Sequence, residues 1–205
     1  VIFGRPATTI TNEAGLLGSD LVITGSHNHG ALASFALGSV AAEVVDHAPC
    51  PVLVARRSSL GLIVLGSDGS EGARYAEDLV ATWPFLARET VRVVSVSPLL
   101  SPWYMTADIG MNLGVGGEFL QELLDGGRAK SQRIADVAAA RLVGRGLKAG
   151  AEVREGTAAD GLVDAIAAAK AELVVVGSRG NTGLTRLVLG SVGRTVYHQA
   201  PCPGL

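Results

Sequence analysis

Short apolar runs alternate along the chain with longer stretches in which apolar residues recur every three or four positions. Leu62-Ile63-Val64-Leu65 is apolar throughout and ends at Gly66-Ser67-Asp68-Gly69-Ser70, which predicts a buried strand followed by a turn. From Glu71 to about Leu86, Ala73, Ala76, Leu79 and Val80 share one face of a predicted helix. Val91 to Val96 predicts the next strand. Residues 97–117, with Pro98, Pro102, Trp103 and a scatter of glycines, predict a long irregular connection. A helical stretch follows from about Glu118 to Leu147, with an interruption expected at Gly126-Gly127. The pattern then predicts a strand over Ala151–Arg154, a helix from Ala158 to Lys170, a strand over Leu173–Val176, and a helix from Ser191 to Gln199 that stops before Pro201. Strands that are apolar throughout, alternating with helices, mark a parallel sheet covered on both faces. The expected fold is α/β: a doubly wound, Rossmann-like parallel sheet of five strands with right-handed crossovers. Ligands of such folds bind at the carboxyl ends of the strands, where Asp68 and Gly177 fall.

The chain also repeats itself. Residues 1–53 lie on residues 153–205 without a gap. Gly4/Gly156, Leu21/Leu173, Val22/Val174, Gly25/Gly177, Ser26/Ser178, Leu37/Leu189, Gly38/Gly190, Ser39/Ser191 and the Ala-Pro-Cys-Pro blocks at 48–51 and 200–203 coincide. The chain therefore reads as a tandem repeat whose first copy is incomplete. Residues 1–57 form the C-terminal half of one domain, and residues 58–205 a second, nearly complete one. The chain begins without methionine and stops at Gly204-Leu205, where the first copy continues as Val52-Leu53-Val54-Ala55. Both ends are expected to be trimmed relative to the gene product.

Composition narrows the partners. The 205 residues are 48% hydrophobic and carry a net charge of −2, and Arg56-Arg57 is the strongest basic cluster, so binding through a nucleic-acid backbone is not expected. No apolar run approaches the ~18 residues of a membrane span, which makes the cytoplasm the expected location. The two cysteines, Cys50 and Cys202, occupy the same place in the two copies, which favours a shared structural role over a disulfide. His27 and His29 form a His-x-His, but no third ligand with suitable spacing accompanies them, so no metal site is expected.

The candidate chemistry lies in the repeated motif. Its second copy reads Gly177-Ser178-Arg179-Gly180, nine residues, then Gly190-Ser191-Val192; the first reads Gly25-Ser26-His27-Asn28, nine residues, then Gly38-Ser39-Val40. A glycine-rich turn leaving a buried strand, with a Gly-Ser pair opening a helix, suits an anion. Small residues let backbone N–H groups approach phosphate oxygens, and the positive end of the helix faces them. Gly-x4-Gly-Lys-Ser/Thr, Gly-x-Gly-x-x-Gly after a strand, and Gly-x-Ser-x-Gly are all absent. Plainer roles stand beside this reading. The glycines would serve tight strand-to-helix packing, Asp68 would cap the helix that follows it, and Arg179 would be a solvated loop cation.

Gly66-Ser67-Asp68-Gly69-Ser70, Gly177-Ser178-Arg179-Gly180, Leu189-Gly190-Ser191-Val192 and Ala200-Pro201-Cys202-Pro203 together resemble the universal stress protein family in its tandem-domain, ATP-binding form. The resemblance implies an adenine nucleotide, ATP with or without Mg, as the ligand. It implies Asp68 beside the ribose and the phosphate or metal region, and Val96 meeting the adenine through its backbone. Gly177, Arg179 and Gly180 would border ribose and phosphates, and Gly190, Ser191 and Val192 would cradle the phosphates. Ser191 would add a hydroxyl donor and Arg179 a charged fork. Gly25, Gly38 and Ser39 are the matching positions of the first copy, where His27 replaces the arginine and Asn28 the second glycine. That copy lacks the strand-one aspartate and the strand-two adenine wall, and without them it cannot form a whole pocket. The family further implies a homodimer or an intramolecular pseudo-dimer, in which Val52–Ala55 pairs with its counterpart after Pro203. The expected function is a nucleotide-dependent regulator of stress response or growth with little or no turnover. The alternatives are a slow nucleotide hydrolase or nucleotidyl-transfer enzyme of the same α/β group, and a nucleotide-free interaction module.

Overall fold

The computed structural model describes residues 2–26, 37–56, 61–98, 117–178 and 189–205, and within 117–120 the backbone alone. The first part of the chain gives helix α1 (Pro6–Leu17), strand β1 (Val22–Gly25), helix α2 (Ser39–His47) and strand β2 (Val52–Ala55). The rest gives β3 (Ile63–Gly66), α3 (Glu71–Thr82), β4 (Thr90–Ser97), α4 (Gly117–Gly144), β5 (Lys148–Glu155), α5 (Ala158–Ala169), β6 (Leu173–Val176) and α6 (Ser191–Gln199).

Strands β5, β4, β3 and β6 pair in that order, all parallel, while β1 and β2 form a separate parallel pair. The expected fifth strand is reduced to a bridge. Val174 N–H donates to Pro203 O at 3.0 Å, and Leu205 N–H donates back to Val174 O at 2.8 Å. On its other side Gly204 exchanges two backbone hydrogen bonds with Val54, at 2.8 and 3.2 Å, in antiparallel fashion. Residues 203–205 thus link β6 to β2.

Alternation along the strands builds two cores. Ile63, Leu65, Val91, Val93, Leu173 and Val175 point to the face covered by α3 and α4. Val64, Val94 and Val174 point to the opposite face, under α5 and α6. The helices on both faces explain why β3 and β6 are apolar at every position. A third, smaller cluster joins Ala7, Val44, Val52 and Val54 to Tyr197 of α6. Cys202 is buried in the second core and Cys50 is half-buried; both remain thiols.

Two helix boundaries depart from the sequence pattern. Helix α3 ends at Thr82, not near Leu86, because Pro84 disfavours helical geometry at Trp83, which is extended. Helix α4 runs without interruption through Gly126-Gly127. Two glycines cost about 1 kcal/mol each in a helix interior, but Ala135, Ala138 and Leu142 of the same helix bury against the sheet and outweigh that cost. A Cβ at Gly127 would already stand 3.4 Å from Ser97 Oγ, so the small residue also suits the close pass over β4.

Candidate functional site

The carboxyl ends of β3, β4 and β6 open into a cavity of about 290 Å³. Gly66, Ser67 and Asp68 line it from β3, Val94 and Val96 from β4, and Val176, Gly177 and Ser178 from β6. Two helix starts close it: Ala158 and Leu162 of α5, and Gly190 through Gly193 at the head of α6. Six of the sequence candidates therefore meet in one place: Asp68, Val96, Gly177, Gly190, Ser191 and Val192. Arg179 and Gly180 lie outside the described residues.

Each wall has a local cause. After β3 the backbone turns at Gly69, whose φ of +75° lies in the left-handed region open to glycine. Asp68 Oδ1 accepts from the Ser70 N–H at 3.0 Å, and Ser70 Oγ accepts from the Ala73 N–H at 3.2 Å. Ser70 is thus the cap of α3, and Asp68 orients the cap from an exposed position. Behind it, buried Ser67 donates to Glu77 Oε1 at 3.1 Å, and Arg141 donates to Glu77 Oε2 at 2.9 Å. This network ties the end of β3 to α3 and α4. On the opposite side, a Cβ at Gly161 would fall 2.9 Å from both Val96 methyl carbons, so glycine lets α5 settle onto Val96.

Gly177 lines the cavity and also makes the tight packing that the plainer reading of the glycines expects. A Cβ at Gly177 would stand 2.6 Å from the carbonyl carbon of Gly72 and 2.9 Å from the Ala73 nitrogen. The close approach that needs this glycine is internal, between the end of β6 and the first turn of α3. The Gly190 N–H donates to Ser178 O at 2.9 Å and closes the loop. Ser191, Val192 and Gly193, which follow, line the cavity. Helix α6 has no side-chain cap and no acidic residue in its first turn, and its internal ladder begins at Arg194 N–H to Gly190 O, 3.0 Å. The N–H groups of Ser191, Val192 and Gly193 precede that ladder at the positive end of the helix.

The matching residues of the first half gather too. Thr24, Gly25, Ser26, Gly38, Ser39 and Val40 line a second cavity of about 320 Å³ with Pro6 and Ala41. Gly38 N–H donates to Ser26 O at 2.8 Å, the bond that Gly190 makes in the second half. No carboxylate is among the described residues lining this cavity.

Sequence reasoning missed Ala158 and Leu162, which supply the floor between β4 and α6. The signal was present: in a doubly wound sheet the helix after β5 must begin beside the strand ends. Chemically, the first cavity joins an apolar slot (Val94, Val96, Leu162, Val176), one carboxylate and an uncapped helix start. Those parts suit a planar base, a hydroxylated sugar and an anionic tail in that order. The volume stands at the lower end of the ~300–1,000 Å³ usual for small-molecule sites. Asp68, together with phosphate oxygens, also suits a magnesium ion, which keeps several waters and needs only one or two carboxylates. Among the described residues no cluster of three potential metal ligands occurs, and no helix is long and apolar enough to cross a membrane.

Comparison with known proteins agrees with this architecture. The model of the universal stress protein family matches residues 1–56 and 61–205. A universal stress protein of Mycobacterium tuberculosis is 30% identical over 225 aligned residues, covering 99% of this chain and 66% of the relative. One from Methanocaldococcus jannaschii is 31% identical over 148 residues, 70% of this chain and 79% of the relative. The crystal structure of a universal stress protein from Archaeoglobus fulgidus superposes with a TM-score of 0.65 at 17% identity, over 98% of this chain and 66% of that one. The chain thus spans about two thirds of the mycobacterial relative's length.

Proposed function

The chain belongs to the universal stress protein family, and from that premise we propose that its second half binds an adenine nucleotide as a regulatory signal. ATP, with or without magnesium, is the ligand this reading favours. The base lies in the slot of Val94, Val96 and Leu162, Asp68 meets the ribose or the metal, and the phosphates meet the start of α6. The sequence motif assigns Arg179 and Gly180, which lie outside the described residues, to the phosphates as well. The observation that carries the reading is the convergence of an apolar slot, a carboxylate and an uncapped helix start in one cavity. Asp68 is the one titratable side chain among the described lining residues, which supports binding over rapid turnover. We read residues 1–57 and 58–205 as two related domains. The Gly204–Val54 bridge would make them an intramolecular pseudo-dimer, in the cytoplasm, regulating stress response or growth.

Mass spectrometry of small molecules released from the purified protein is the first test, and calorimetric titration with ATP the second. Asp68→Asn is expected to weaken ATP binding by about 1.5–3 kcal/mol, roughly ten- to a hundredfold. No nucleotide released, and no heat at millimolar ATP, would end the proposal. Turnover of order 1 s⁻¹ would make the protein an enzyme instead.

A further inference from the structure

Helix α6 faces the cavity with its first turn and the other half of the chain with its flank and last turn. Arg56, half-buried just beyond β2, donates from Nη1 to Ala200 O at 2.9 Å and from Nη2 to Tyr197 O. Those carbonyls close the C-terminal end of α6, where the helix dipole is negative and a cation is favoured. The planar guanidinium spans both acceptors at once. Halfway along the helix, Arg194 Nη2 meets both carboxylate oxygens of Asp46 on α2, at 3.1 and 3.2 Å. Tyr197, buried in the cluster between the halves, donates its hydroxyl to Val52 O at 3.2 Å. Three anchors therefore hold one nine-residue helix from residues 46–56. None of Asp46, Val52 and Arg56 lines the cavity itself.

A short helix pinned at its C-terminal end is a lever whose N-terminal amides are aimed by the pin. Its orientation matters most for a ligand that meets those amides, and little for one that fills only the apolar slot. We propose that Arg56 is a positioning residue: through the last turn of α6 it aims the amides of Ser191–Gly193 and so sets the affinity of the cavity for the phosphate part of its ligand. The first half of the chain thereby tunes a site to which it contributes no contact through Arg56. This role rests on the nucleotide reading given above.

The test is calorimetric titration of the full chain with ATP and, separately, with adenosine. Arg56→Ala is expected to weaken ATP binding roughly tenfold, the loss that accompanies one weakened charge-assisted contact, while adenosine affinity stays within about twofold. Arg56→Lys, which keeps a cation at the helix end but not the two-pronged fork, is expected to restore only part of the ATP affinity. Asp46→Asn removes a more peripheral anchor and is expected to shift ATP binding in the same direction by a smaller factor. It keeps the idea open to refutation should Arg56→Ala not fold. Equal losses for ATP and adenosine would mean general loosening and overturn the proposal, as would unchanged ATP affinity in both variants. Failure of the unaltered chain to bind ATP would remove the nucleotide reading and this role together. Normal binding by the unaltered chain with indifferent variants would remove this role alone.

Discussion

Gly177 and Gly25 hold the same place in the two halves, yet substitution of each by alanine should have opposite consequences. At Gly177 the added methyl would lie 2.6 Å from the Gly72 carbonyl carbon, 2.7 Å from its oxygen and 2.9 Å from the Ala73 nitrogen. All three are backbone atoms at the start of α3, so no side chain can swing aside. Restoring an ordinary separation near 3.5 Å requires roughly 1 Å of backbone retreat. That retreat would pull on the Ser70 cap and on Asp68, which is bonded to it. Overpacking of this kind costs about 1–3 kcal/mol. At Gly25 nothing among the described residues stands within 4 Å of the new methyl, and no positive φ forbids it. There the substitution should be neutral, or stabilising by about 0.4–1 kcal/mol through a less flexible unfolded chain.

Urea denaturation followed by circular dichroism reads both effects on one scale. Gly177→Ala should move the midpoint down with an unchanged slope, and Gly25→Ala should leave it in place or move it up. Equal shifts in the two variants, or a neutral Gly177→Ala, would refute the assignment of Gly177 to the contact with α3. They would return this glycine to the ligand alone.

Two further outcomes follow from buried polar groups. Arg141→Ala should cost about 1–3 kcal/mol in thermal or urea melts, because Glu77, 4% exposed, would keep only Ser67 as a partner among its described hydrogen bonds. In that background Glu77→Gln should recover part of the loss. Burial raises the Tyr197 phenol above its ordinary value near 10. Its contribution to stability is therefore intact below pH 10 and is lost as pH climbs from there toward the folded value, since the unfolded chain releases its proton first. Tyr197→Phe should flatten the decline in urea stability above pH 10, and an equally steep decline in the variant would assign it to other groups.

Much of the fold could be read from residue order because β3 and β6 are apolar at every position and the helices between them keep their spacing. What escaped were effects of distant sequence. Pro84 stops α3 locally, but the passage of α4 through Gly126-Gly127 is decided by how Ala135, Ala138 and Leu142 meet the sheet. The site shows the same division. Asp68, Gly190 and Ser191 could be placed at strand and helix ends from the motif. That Gly177 answers to Gly72 depends on a contact between positions more than 100 residues apart in the chain, which no local spacing carries.

The loop bond that recurs in both halves separates scaffold from chemistry. Gly190 to Ser178 and Gly38 to Ser26 have nearly the same length, 2.9 and 2.8 Å, so the spacing of the motif encodes closure of the loop in each half. Closure alone sets a helix start toward a cavity, and both cavities have one. The carboxylate and the strand side of the apolar slot come from β3 and β4, whose counterparts the first half does not contain among its described elements, while α5 has its counterpart in α1. A phosphate tail is weakly held in water by exposed amides and gains affinity when a base and sugar are buried beside it. Titration of the full chain with ATP should accordingly fit one tight site, with any second event at least tenfold weaker. Two equivalent sites would mean that loop closure suffices, and that Asp68, Val96 and Leu162 are not what selects the ligand.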